Sequence, residues 1–542
     1  MDSRHFLGAS ALALAVGFSL GVTDAGAAAK ASPVAAAPDP RDARIEALQS
    51  QLEALAAKVE MMERRTAFAP PTPAAALTPP PAPIQSLPPV ASVPPSSAVA
   101  SIVVGKPSIQ STDGRFAATF HGGMQFDAAD YRQDPPGPIT SDFRRGATPA
   151  DTARARDLAS GTNFRRARIG VDGKAFGDFE YNVLLEYGGA GMEDAGHIQE
   201  LWFQYSGLKP FHFRVGAFAP SIGLEDQGSV FGAPFLERPA AADIARGVAG
   251  GDFREAAMAW AAGERWYAAG SITGRTVGVV NSQATGAAQP YDSALAYVGR
   301  AAFLPLKDKD RLVHLGLHGS YVARTADTGG PDTAAGAVRY GVTLQERPEL
   351  RVDGTRLIST GAIDADHVST GGVEAAGQYR TLLIQAEYER IAIERRNPAA
   401  GVSDPHFDGW YVEGSWMLTG EKRRYNPNTF AFDAPSITRP FSPLTGAWGA
   451  FELAGRYSTV DLNYQPGALG TAPGAGAVRG GEQTVVSGGV NWYLNAIVRF
   501  MLDYQDVKID RLSPSATAYA TPVGAQIGQR YQVISLRSQM AF

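Results

Sequence analysis

Arginine is the residue type whose spacing in this chain offers usable chemistry. Arg238, Arg246 and Arg254 share one stretch, and Arg347, Arg351 and Arg356 share another, QERPELRVDGTRLISTG. A guanidinium stays charged at physiological pH, and its planar fork meets two oxygens of a carboxylate or phosphate at once. Such groups suit two roles. They can draw an oxyanion through a passage, or they can pair with facing carboxylates and hold a loop in place. The first stretch also carries Glu225, Asp226, Glu237, Asp243 and Asp252, so composition leaves both roles open.

Signatures of catalysis are missing, and the sequence reads as a non-enzyme with no cofactor. The chain has no cysteine, which excludes disulfides, thiolate metal sites and cysteine nucleophiles. His121, His212, His314 and His318 are isolated in sequence. The last two sit four apart, which on a strand gives one face but about 13 Å of separation, too far for a metal shared by both. No G-x-S-x-G, Walker or zinc pattern occurs. Basic and acidic residues number 49 and 54, a formal net of −5. That balance gives no reason to expect nucleic acid.

The arginines need a scaffold, and the hydropathy pattern provides one. From about Gly114 onward apolar and polar residues alternate with period two, as half-buried strands do. Residues 164–174 (FRRARIGVDGK) set Ala167, Ile169 and Val171 on one face, and Arg166, Arg168, Asp172 and Lys174 on the other. Residues 211–215 set Phe211, Phe213 and Val215 against His212 and Arg214. Parity therefore makes Arg166, Arg168 and Arg214 wall candidates. The stretch RYQVISLRSQMAF (530–542) puts Ile534, Leu536, Ser538 and Met540 on one side. Val533, Ser535, Arg537 and Gln539 lie on the other, and the stretch stops on Phe542.

Aromatic residues gather near segment ends on the apolar parity, as membrane-interface girdles do. Short connections (177–178, 207–210, 307–310, 495–496) alternate with long polar ones (132–162, 219–254, 324–368, 461–482). Short turns on one side and long loops on the other mark a transmembrane barrel. The fold class is therefore all-β: a transmembrane antiparallel β-barrel of about 16 strands, occupying residues 102–542. An even number puts both barrel ends on the periplasmic side. The last strand is expected to close on the first near residues 116–126, with Arg537 toward the lumen and Met540 toward lipid.

The N-terminal part reads differently. Arg4 and His5 precede an apolar run over 7–20, and Ala25-Gly26-Ala27 or Ala27-Ala28-Ala29 would serve as a cleavage site. This predicts a signal peptide over 1–29, followed by a spacer at 30–41. In residues 42–65, Ile45, Leu48, Leu52, Leu55, Val59 and Met62 alternate spacings of three and four. That is a coiled-coil seam, on a helix too short to stand alone. Residues 66–101 form a Pro/Ala-rich linker that cannot bury a core.

Several stretches resemble the phosphate-selective porin O and P family. They include residues 164–187 (FRRARIGVDGKAFGDFEYNVLLEY), 198–226 (IQELWFQYSGLKPFHFRVGAFAPSIGLED), 235–239 (FLERP), 409–426 (GWYVEGSWMLTGEKRRYN), 446–463 (GAWGAFELAGRYSTVDLN) and 489–504 (GVNWYLNAIVRFMLDY). The resemblance covers roughly residues 101–542. It implies a sixteen-stranded barrel in the outer membrane of a Gram-negative bacterium, surrounded by lipid and assembled as a homotrimer. It also implies a channel for small anions such as phosphate, narrowed by inward-folded loops. Arg238, Arg246, Arg254, Arg347, Arg351 and Arg356 would then line the constriction, with Arg166, Arg168 and Arg214 on the wall. The seam at 45–62 would be a periplasmic trimer stem, placed to touch peptidoglycan. Phosphate-selective members are also expected to hold lysine clusters. Lysine is sparse here beyond residue 100, which separates phosphate specificity from the channel itself. A second reading makes the barrel chiefly structural, linking the outer membrane to the cell wall through the stem.

Overall fold

A sheet that exposes one apolar face to lipid must leave no free edge. The chain meets that condition by closing a 16-strand antiparallel barrel. The computed structural model describes residues 98–103, 105–133, 158–189, 196–250, 253–277, 292–329, 338–514 and 522–542. The expected signal peptide, spacer and 42–65 helix, and the linker as far as residue 97, lie outside the described residues. The barrel strands, in chain order, are β1 (Ala117–Gln133), β2 (Gly161–Ala175), β3 (Phe179–Glu186), β4 (His197–Tyr205), β5 (Phe211–Phe218), β6 (Arg254–Ala262), β7 (Trp266–Thr276) and β8 (Leu295–Lys307). They continue with β9 (Arg311–Arg324), β10 (Ile363–Tyr379), β11 (Leu382–Arg395), β12 (His406–Met417), β13 (Ala450–Tyr464), β14 (Val478–Tyr493), β15 (Val498–Asp510) and β16 (Gln529–Ala541).

Closure occurs on the expected first strand, but farther along it than residues 116–126. β16 pairs antiparallel with β1, from Tyr531 opposite Gln133 to Ala541 opposite Gly123. Phe542 and Gly122 then exchange two backbone hydrogen bonds of 2.9 and 3.0 Å. Along β16 the outward Leu536 and Met540 are 45% and 43% exposed, while the inward Arg537 is fully buried. Aromatic pairs mark the membrane interface at the short-turn ends. Phe179 packs on Tyr205 at 5.2 Å, and Phe451 stacks on Trp492 at 5.9 Å.

Three features depart from the sequence reading. First, a hairpin of Ala98–Val103 and Lys106–Ser111 precedes the barrel and pairs with the start of β1. It turns at Gly105, whose φ of 76° suits glycine. Residues 98–101, expected in the linker, are therefore strand. Second, residues 418–449 interrupt the rhythm of turns, forming a long connection at the short-turn end. They contain a small hairpin, Arg423–Asn426 with Ala431–Pro435. Its Phe430 and Phe432 are buried beside Tyr267 and Leu304 inside the lumen. Third, residues 219–253 contain two helices, α1 (Leu224–Gln227) and α2 (Ala240–Ala249). Pro239 and Gly250 bound α2, with Asp243 in its first turn and Arg246 in its last, as the helix dipole favours. Its Ala240, Ala241, Ile244 and Ala245 pack in one cluster with Ile391, Ile393, Phe407 and Val460 of the barrel wall. Alanine lets the helix lie close: a Cβ added to Gly409 would stand 2.8 Å from that of Ala241.

Candidate functional site

Inward residues of β15, β16, β1 and β2 make one side of the lumen basic. Arg165 and Arg166 both point inward because β2 carries a bulge. Gln125 pairs with Arg166 and Phe126 with Phe164, so Arg165 is skipped in the ladder. Their common partner is Glu237, from the loop between β5 and β6. Arg165 donates to its two oxygens at 2.6 and 3.0 Å, and Arg537 donates at 3.0 Å. Arg351 and Arg166 approach to 3.5 and 3.8 Å. Burial alone would raise the Glu237 carboxyl. The four guanidiniums outweigh that and hold it well below the usual carboxylate range. Arg537 also grips Asp127 of β1 at 2.6 and 2.7 Å, tying the barrel seam to this cluster.

A second stretch of wall, β10 to β12, is acidic. Glu374 takes a two-pronged contact from Arg300 at 2.9 and 3.2 Å. Glu387 accepts the backbone N–H of Leu224, that of Glu225 at 3.1 Å, and the Tyr411 hydroxyl at 2.8 Å. Glu413 accepts from Gln385 at 2.9 Å and faces Arg456 at 3.6 Å. Residues 219–253 therefore span the lumen, fastened by backbone donors to the acidic side and by Glu237 to the basic side. Asp503 and Glu349 add ties to the backbone N–H of Leu236 and Ala240, each at 3.0 Å.

The lumen keeps an open space of about 1090 Å³ beside this beam. Nine basic and six acidic side chains line it, an excess of three positive charges. It brings together Arg166, Arg168, Arg238, Arg246 and Arg351 of the sequence candidates. Arg168 donates to Glu186 at 2.5 Å and lies within 6 Å of the Phe231 and Phe253 rings. Arg246 pairs with Asp226, and Arg351 with Asp243 at 2.7 Å. Arg238 is held more loosely. It reaches the Glu225 and Asp226 carbonyls at 3.4 Å each, with the Asp226 carboxylate at 4.0 Å.

The other four candidates lie outside this space. Arg214 stacks on Trp202, 3.9 Å from the ring centre. Arg254 donates to the Gly247 and Val248 carbonyls at 2.7 and 3.4 Å, closing the C-terminal end of α2. Arg347 is buried against Glu346 and the Gly354 carbonyl, and Arg356 is half-buried in the same outer loop.

Lys106, Arg165, Arg424 and Arg499, outside the sequence candidates, also line the space. Arg499 has neutral partners: the Ala233 carbonyl, the Tyr493 hydroxyl and Gln539. Its parity opposite Val498, Phe500 and Leu502 could have found it. Arg165 could not be found by parity, since the bulge breaks it.

Comparison with known proteins gives consistent matches. The family model described as phosphate-selective porin O and P matches residues 138–540. Porin O of Pseudomonas aeruginosa is 24% identical over 377 residues, covering 66% of this chain and 79% of that one. An uncharacterized protein of Caulobacter vibrioides is 27% identical over 476 residues, covering 85% of this chain and 84% of that one. Among solved structures, the outer-membrane OmpT of Vibrio cholerae superposes with a TM-score of 0.41 at 11% identity, over 79% of this chain and 98% of that one.

Proposed function

The chain belongs to the phosphate-selective porin O and P family, and from that premise we propose that it is an outer-membrane diffusion channel favouring small anions, phosphate among them. The observation that carries the anion preference is the excess of three positive charges around the open lumen space. An ion crosses a constriction when fixed charges replace enough of its hydration, yet hold it weakly enough to release it. Most lumen arginines are neutralised by carboxylates. Arg238, Arg424 and Arg499, held mainly by carbonyls and neutral side chains, are arginines with field left for a passing solute. The seam at 45–62 supports self-association, and the family makes a homotrimer the natural assembly, with a periplasmic stem within reach of peptidoglycan.

The test is the reversal potential of the full chain in a planar bilayer under a KCl gradient. We expect anion preference, and chloride current blocked by added phosphate. Cation preference would overturn the arginine assignment. Chloride current indifferent to phosphate would leave a general anion channel.

A further inference from the structure

We propose a transition-metal site on the acidic side of the lumen, formed by His318, Glu387 and Glu389. Their ligand atoms lie within 4.8 Å of one another, and all three residues are buried. Strand register explains the convergence. His318 on β9 lies opposite Gly372 on β10, which lies opposite Glu389 on β11. Strands two apart are separated by about 9.6 Å, normally with a side chain between them. Here the intervening residue is glycine. A Cβ at Gly372 would stand 2.3 Å from His318 Nε2 and 2.7 Å from Glu389 Oε2. The two side chains close over bare backbone, leaving Nε2 2.7 Å from Glu389 Oε1. Glu387, two residues before Glu389 on the same face, brings the second carboxylate.

A second observation points to a ligand. Glu389 is 4% exposed, and its Oε2 has no hydrogen-bond partner, although it points over the same Gly372 gap as the imidazole. A buried carboxylate oxygen left unpaired is costly, and a cation is its natural partner. Arg300, on β8 beside this wall, is committed to Glu374 and to the Thr429 and Phe430 carbonyls.

One imidazole nitrogen and two carboxylates suit Zn²⁺ or a neighbouring first-row dication better than Mg²⁺ or Ca²⁺. Zinc bonds of about 2.0–2.2 Å place tetrahedral donors about 3.3 Å apart, a spacing these side chains reach by small rotations, with water completing the shell. Glu387 also accepts the Leu224 and Glu225 backbone N–H groups. Metal at this site would therefore stiffen the end of the lumen loop fastened to the acidic side. The inference does not depend on which ion the channel passes.

The experiment measures Zn²⁺ bound to the detergent-solubilised full chain by equilibrium dialysis and elemental analysis, with the visible spectrum of the Co²⁺-loaded chain as a second readout. We expect about one Zn²⁺ per chain and a Co²⁺ spectrum of low coordination number. Glu389→Gln and His318→Ala should each weaken Zn²⁺ binding by at least about tenfold. His314→Ala, on the same face four residues earlier, should leave it unchanged. Heat-dependent gel mobility verifies that each variant is a closed barrel. If neither ligand variant folds, the wild-type Zn X-ray absorption spectrum decides, with one imidazole among oxygen donors expected. Substoichiometric binding, a spectrum of oxygen donors alone, or folded ligand variants that bind unchanged would overturn the site and leave an imidazole–carboxylate pair.

Discussion

The basic and acidic walls share one barrel, separated by two strands on one side (β13 and β14) and seven on the other, and alternate strand residues deliver their charges in the same way. They differ in how those charges are answered. On the acidic wall nearly every carboxylate has its own donor: Arg300 for Glu374, backbone N–H groups for Glu387, His318 for Glu389, Gln385 and Arg456 for Glu413. On the basic side one carboxylate, Glu237, is shared by four guanidiniums, of which Arg537 has a second partner in Asp127 and Arg351, from the loop, one in Asp243. One wall is close to neutral in effect and the other keeps a surplus. The field a solute meets is set by this unequal pairing and not by the number of arginines, since the chain as a whole carries a net charge of −5.

The largest expected effect comes from removing the shared partner. Glu237→Ala leaves Arg165 and Arg166 buried beside one another, and breaking such a cluster costs about 3–5 kcal/mol. The folded band should be lost at lower temperature on gels, and open-channel current should become noisier as the loop comes away. Unchanged heat stability would mean that Glu237 does not organise the basic wall. Glu387→Ala is the matching cut on the acidic wall. It leaves two backbone donors and a tyrosine hydroxyl unsatisfied and should cost about 2–3 kcal/mol in the same assay.

Next in size, Arg238→Gln should lower the anion-to-cation permeability ratio by about twofold with no loss of folded barrel, since it removes field without breaking a close ion pair. Reversal potentials read this directly, and an unchanged ratio would move the selective charge to Arg499.

A smaller effect comes from pH. Burial, with Glu413 nearby, pushes the Glu225 carboxyl up to about 8 from an ordinary 4.5. A raised pKa favours the protonated form in the folded state. The stability it contributes is therefore full below the ordinary value and is lost as pH rises through about 8. Between pH 7 and 9 the group gains a negative charge beside the lumen, so anion preference should decline. Glu225→Gln should flatten that profile. The smallest effect belongs to Arg214→Gln: stacked on Trp202 outside the open space, it should leave the reversal potential unchanged.

The barrel was legible because lipid leaves a strand no freedom. Outward positions within the lipid must be apolar, so period two survives along the barrel strands and even the inward aim of Arg537 could be read. The site was less legible, for local reasons. A single bulge between Phe164 and Arg166 turns Arg165 inward, where parity would have sent it out. The helix at Ala240–Ala249 is only ten residues long and half alanine, so in sequence it resembles an Ala-rich loop. The contact between Glu237 and Arg537 joins residues 300 apart, and no spacing rule reaches that far. The short-turn end holds the inserted hairpin at 423–435, whose Pro- and Asn-rich flanks read as connection.

The seam between β16 and β1 also shapes how this protein can come into being. Arg537 and Asp127 meet across 410 positions of chain, and contacts so remote in sequence form slowly because the intervening chain must be gathered first. A chain halted before Gln529 would not make a smaller barrel. It would leave a curled sheet with two unsatisfied edges, ready to pair with any other strand. Assembly is thus all or nothing in its final step: every earlier stage is a sticky intermediate that must be shielded until the two margins meet.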